Sequence, residues 1–138
     1  MDWVRYLSAH LGNFDPLKLR QIRHLTVTER LSPHGHRSAV ELVVSALYWP
    51  DFLLTLRFSG VVSLSIPTIE GGGMIGFGEL FIQDVSASGL ESIRYTFVDN
   101  LTGFQCSCWA VEPLDLSRVN ADETIERIAT FDAVEGVT

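Results

Sequence analysis

The stretch Phe52-Leu53-Leu54-Thr55-Leu56-Arg57-Phe58-Ser59-Gly60-Val61-Val62-Ser63-Leu64-Ser65-Ile66 decides the fold. Every even position in it is apolar or glycine, whereas Thr55, Arg57, Ser59, Ser63 and Ser65 occupy odd ones. A period of two sends successive side chains to opposite faces, so the segment reads as sheet with one buried face. Drawn straight, these residues would span about 50 Å, too long for a small domain. A two-residue hairpin turn at Ser59-Gly60 would set Leu56 against Ser63 and mix the two faces. Parity leaves a strand bent at a Gly60 bulge, or a three-residue turn at 59–61 joining two strands. The bend is the preferred reading.

The same periodicity extends outward. Upstream, Val40, Leu42, Val44 and Ala46 alternate against Glu41 and Ser45, and Leu25, Val27 and Leu31 give a further strand within 17–31. Ser32-Pro33-His34-Gly35-His36 is turn chemistry, and Tyr48-Trp49-Pro50-Asp51 is a loop because Pro50 removes a donor and restricts Trp49. Downstream, residues 80–87 read as a strand. Ser88-Gly89 then turns the chain into Ile93, Tyr95 and Phe97, and a turn at 100–103 leads to Phe104, Cys106, Cys108 and Ala110. Three strands joined by such short turns form an antiparallel meander. Trp109 and Val111 fall on the opposite face of the last strand, which predicts cover on both sides.

Both ends read as helix. Asp2 is placed to cap a first helix, with Trp3, Val4, Leu7 and Leu11 on one side and Gly12 as its stop. Asn120, with Glu123 three residues on, resembles a capping box, and Ile125, Ile128 and Ala129 follow at helical spacing. The expected class is mainly β (α+β). One domain over 1–138 forms an antiparallel sandwich or partly open barrel of about six to seven strands, with short N- and C-terminal helices.

A chain of 138 residues buries roughly two-thirds of its unfolded surface, enough to stand without a metal or disulfide staple. Its net charge of −7 is unevenly placed. Residues 1–37 carry six basic and three acidic side chains, 38–109 two and seven, and 110–138 again two and seven. Such a surface repels a phosphate backbone and can steer a basic partner. No apolar run is long enough to cross a bilayer, and the first residues lack a signal peptide's apolar centre, so the expectation is cytoplasmic. Cys106 and Cys108, two apart on one strand face, are too distant along the backbone for an unstrained bridge and are expected to be reduced and buried.

Chemical motifs are absent. The Gly71-Gly72-Gly73 run with Gly76 and Gly78 leads into a strand rather than a helix, and the single lysine is Lys18, so it reads as a flexible connection rather than a phosphate cradle. His34 and His36 supply two ligands where a metal site needs three or four. Trp3, Trp49 and Trp109 read as core rather than as a ligand platform, with Trp49, beside Pro50 in a loop, the readiest of the three to be exposed. No Gly-x-Ser-x-Gly or His-Glu-x-x-His occurs, and no catalytic, cofactor-binding or metal residue is assigned.

Leu56-Arg57-Phe58-Ser59-Gly60-Val61 with Leu64 and Ile66, then Gln83-Asp84-Val85, then 95–99 and Phe104-Gln105-Cys106, form a rhythm of strands across residues 50–112. It resembles small bacterial β-rich domains, among them immunity proteins of polymorphic toxin systems. The resemblance implies no catalytic residues and implies neutralisation of a cognate toxin by direct binding. The expected function is thus a non-enzymatic, cytoplasmic protein-binding domain that is immunity-like and takes a basic partner. The alternative is a small-molecule-binding β-barrel or sandwich with Trp49, Tyr95 and the glycine loop near its mouth.

Overall fold

The computed structural model describes residues 2–31, 38–66, 76–89 and 92–131. The chain opens with α1 (Asp2–Leu11), a helix that presents Trp3 and Leu7 to the core with Val4 and Leu11 beside them. Asp2 is the first residue of that helix. Gly12 ends it in the left-handed region at φ 70°, its N–H donating to the Ser8 carbonyl at 3.0 Å. Asp15 then accepts from the Leu17 N–H at 3.0 Å and starts a single 3₁₀ turn (Pro16–Lys18).

Nine strands follow among the described residues. Strands β1 (Leu19–Leu31), β2 (Ser38–Tyr48) and β3 (Phe52–Ser59) are consecutive antiparallel neighbours. Then come β4 (Ser63–Ser65), β5 (Leu80–Asp84), β6 (Tyr95–Asp99), β7 (Gln105–Cys108), β8 (Ala110–Val119) and β9 (Ile125–Thr130). They make two antiparallel sheets, one ordered β1-β2-β3-β8-β9 and the other β4-β7-β6-β5. The fold is mainly β, as expected, in the form of a sandwich closed along one side by shared strands.

The stretch 52–66 shows how the closure works. β3 alternates as parity requires, with Leu54, Leu56 and Phe58 buried. At Gly60, φ 62°, the chain bends and leaves the first sheet for the second. Opposite it, β7 passes into β8 at Trp109, so both partners cross the corner together. Ser59 pairs with Ala110 and Ser63 with Ser107, which leaves three residues on one side against two on the other: a bulge. The Trp109 N–H is shared between the carbonyls of Ser59 and Gly60, at 3.1 and 3.2 Å. The extra residue interrupts the alternation at the bend only, and Leu64 beyond it still turns toward the core between exposed Ser63 and Ser65. Val61, rather than Val62, is buried after the bend.

Three sequence expectations are corrected here. Asn120 does not cap a helix: residues 120–124 form a hairpin turn, and β9 pairs with β8. The helix-like spacing of Ile125, Ile128 and Ala129 has another cause. Leu116 pairs with Ala129 and Ser117 with Arg127, so Ile128 is a bulged residue, and the extra position puts Ile128 and Ala129 side by side against the core. Trp109 is not core but 53% exposed, whereas Val111 is buried, because the strand changes sheet between them. Residues 85–87 are not strand: Asp84 accepts from the Ser86 N–H and hydroxyl at 2.9 and 2.6 Å, ending β5 in a 3₁₀ turn (Ser86–Ser88). The larger strand number follows from the corner, which splits two long strands into four, and from β9.

The two inner faces meet through aromatic contacts, with Phe58 edge-on to Phe97 at 4.8 Å and Phe77 edge-on to Phe104 at 5.0 Å. Trp3 of α1 stacks on Phe97 at 6.0 Å and closes one end. Between the sheets, a void lined by Val44, Leu54, Leu56, Phe58 and Phe97 among others measures only about 10 Å³. That is roughly the space of one water, so the described residues around it form packed core.

A candidate interface at the hairpin end

Two turns lie side by side at one end of the five-stranded sheet. The β2–β3 connection is Trp49-Pro50-Asp51, with a cis bond before Pro50. The β8–β9 connection runs over 120–124. The Val119 N–H donates to the Asp51 carbonyl at 2.7 Å, Arg118 approaches the Asp51 carboxylate at 3.7 Å, and the Arg118 guanidinium lies 5.5 Å over the Phe52 ring. These contacts tie the two turns into one surface.

That surface carries two exposed apolar side chains, Trp49 at 60% and Ile125 at 61%, among the exposed carboxylates Asp122, Glu123 and Glu126. Its turn is held by its own polar groups. Asp122 accepts from the Thr124 hydroxyl at 2.6 Å and the Thr124 N–H at 3.1 Å, which holds its carboxyl below the usual range. The Asn120 side-chain amide donates to the Thr124 hydroxyl at 3.0 Å, and the Asn120 and Glu123 N–H groups close the backbone at 2.9 Å each. The outcome is that Glu123 sits at φ 68°. A left-handed non-glycine costs roughly 1–2 kcal/mol, and glycine or asparagine is the usual occupant. Strained positions cluster at functional sites, and this one also closes a three-residue hairpin loop, where a left-handed residue is the rule.

Among the described residues, the polar side chains that the sheet brings into line do not form a triad. His24, Ser45, Thr55 and Asp115 line up across β1, β2, β3 and β8 on the outer face of the first sheet. Ser45 and Thr55 share a 2.7 Å hydrogen bond. Yet His24 and Asp115 are three strands apart, roughly 14 Å, so the carboxylate cannot orient the imidazole as a triad demands. Asp99, 1% exposed, is structural: its carboxylate accepts the N–H groups of Gly78 and Glu79 at 2.7 and 3.1 Å, and of Leu101 and Thr102 at 3.0 Å each. Burial pushes its carboxyl up, but the four donors outweigh it and hold it below the usual range.

Cys106 and Cys108 are free and fully buried on one strand face, as expected. The Cys108 sulfur and burial together push the Cys106 thiol up. Of the glycine run, Gly76 and Gly78 are described, and 71–75 lie outside the described residues, as do His34 and His36. Gly76 bridges Gln21 on β1 and leads to β5, a strand rather than the helix a phosphate loop needs. Trp49 is exposed rather than core, as its place beside Pro50 favours, but Tyr95 is buried at the far end of β3 from it, so the two share no mouth. Among the described residues no group of three His, Cys, Asp or Glu side chains can hold a metal, and no helix is long and apolar enough to cross a membrane.

The hairpin surface was not legible as a site. Its signal was Asn120-Ala121-Asp122-Glu123-Thr124, in which Asn, Asp and Thr serve a turn as well as a helix cap. Comparison of the chain with known protein families, curated proteins and solved structures finds no match.

Proposed function

We propose that the chain is a non-enzymatic, cytoplasmic protein-binding domain of the immunity kind, which neutralises a basic protein by covering it with the hairpin end. The observation that carries this is Glu123, held in a strained conformation by a self-bonded turn at the sheet end that also carries exposed Trp49 and Ile125. Interfaces of this type place aromatic and aliphatic anchors inside a polar rim, with tryptophan enriched among the residues that dominate binding. Carboxylates on that rim speed the encounter with a basic partner and make it salt-dependent. The turn is ordered before binding, which lowers the entropic cost of association.

The test is affinity capture from the source cells by the wild-type chain and by the triple variant Asp122→Asn, Glu123→Gln, Glu126→Gln. The expected result is a stoichiometric basic protein held by the wild type, lost with the variant and released by salt, whose toxicity on expression is suppressed by the wild-type chain alone. Identical captures by the two chains, or a captured protein whose toxicity is untouched, overturn the reading.

A further inference from the structure

We propose that a recess between α1 and the sheet corner, at the opposite end of β3 from the hairpin surface, binds a small flat carboxylate of benzoate type. The recess measures about 150 Å³ and is lined by Trp3, Tyr6, Arg94, Tyr95, Glu112 and Pro113, among others. A cavity of roughly that volume accommodates a benzene ring.

Three features select the ligand. The first is shape: Trp3 is fixed by its stack on Phe97, Tyr95 is buried, and Tyr6 stands at the rim, 46% exposed. Walls of this kind favour a flat ring. The second is the placement of Arg94. Its N–H donates to the Cys108 carbonyl at 2.9 Å and its carbonyl accepts from Val85 at 2.7 Å, so its backbone is anchored to β7 on one side and to the residue after β5 on the other. Its guanidinium carbon lies 5.2 Å from the Tyr95 ring centre, and its Nε is buried without a hydrogen-bond partner among the described residues. A second buried donor in the lining, Trp3 Nε1, is likewise unpartnered among them.

The third is charge. Glu112 is held by Arg57 at 2.7 Å, and the neighbouring acid Asp84 is engaged by Ser86 at 2.6 and 2.9 Å. No ion pair joins Arg94 to a carboxylate among the described residues. With Arg57 outside the lining and engaged by Glu112, Arg94 is the cation of the recess itself; it lies near enough to Asp84 to help lower that carboxyl, yet its buried Nε keeps a free donor among the described residues. A planar guanidinium pairs with a carboxylate through two parallel hydrogen bonds, which a neutral or cationic ring cannot accept. This inference is independent of the hairpin surface.

Benzoate and benzamidine, the same ring with opposite charge, are titrated into the full chain and followed by amide NMR shifts. Benzoate is expected to saturate with shifts centred on Tyr6, Arg94 and Tyr95, and benzamidine to give none. Arg94→Gln is expected to weaken benzoate by roughly tenfold or more, the usual scale for losing a charge-assisted pair. Tyr6→Ala, at an exposed helix position that leaves the core intact, is expected to weaken it several-fold. The proposal is overturned by saturation with benzamidine, by shifts scattered away from the recess, or by no saturation with benzoate. Unchanged affinity in Tyr6→Ala and in a folded Arg94→Gln overturns it too.

Discussion

Gly60 lies directly against Trp109 at the sheet corner: a Cβ added at Gly60 would lie 3.0 Å from the Trp109 Cβ. Gly60 is also left-handed, at φ 62°. Gly60→Ala therefore meets both a conformational penalty and a steric one, and is expected to destabilise the fold by about 2–3 kcal/mol. Gly12→Ala is the control. It shares the positive φ but has open space around it, so a loss of about 1 kcal/mol is expected. Urea unfolding of the two variants checks the difference, and equal losses would contradict the corner.

Asp99 couples the turn after β6 to the approach to β5 through its four accepted N–H bonds. Asp99→Asn keeps the shape but turns an acceptor into a donor facing donors, and is expected to cost about 2–4 kcal/mol. The pH dependence follows from the lowered carboxyl. Its stabilisation is fully present above the unfolded value, near 4, and is lost as pH falls through the lower folded value. Acid titration of stability should therefore be steeper below about pH 4 in the wild type than in Asp99→Asn.

Glu123→Gly is expected to stabilise the protein by about 0.5–1 kcal/mol, because relief of the left-handed strain exceeds the added freedom of glycine in the unfolded chain. If the hairpin end is the interface, the same variant weakens partner capture. Gaining stability while losing binding is the signature of a residue kept for function. Thermal unfolding and affinity capture of this single variant give both readings.

Cys106 and Cys108 are both fully buried, so neither should be reached by a reagent in the folded protein, although the Cys106 thiol holds the Cys108 thiol below its usual range. Alkylation at neutral pH is expected to label no thiol under native conditions and two in denaturant. Labelling of either before unfolding would place it outside the core.

The alternation of Leu54, Leu56 and Phe58 was enough to give sheet, buried face and a bend at Gly60, because parity is a local property. What lies beyond Gly60 was not local. Whether the bent strand stays in its sheet depends on its partner, and the partner bends at Trp109, 49 residues of chain away. β9 was misread for the same reason: a bulge imitates helical spacing, and only pairing with β8 distinguishes the two. The recess was invisible because Trp3, Arg94 and Glu112 come from three separate elements. The hairpin site was hidden by residues whose chemistry suits two structures equally.

The shared N–H at Trp109 has a mechanical consequence. β3–β4 and β7–β8 are two continuous lengths of chain creased at one point, so the layers are leaves of a single folded ribbon. Neither leaf can peel away while the crease holds, and amide exchange across both should proceed as one cooperative unit, with the slowest protons flanking the fold line.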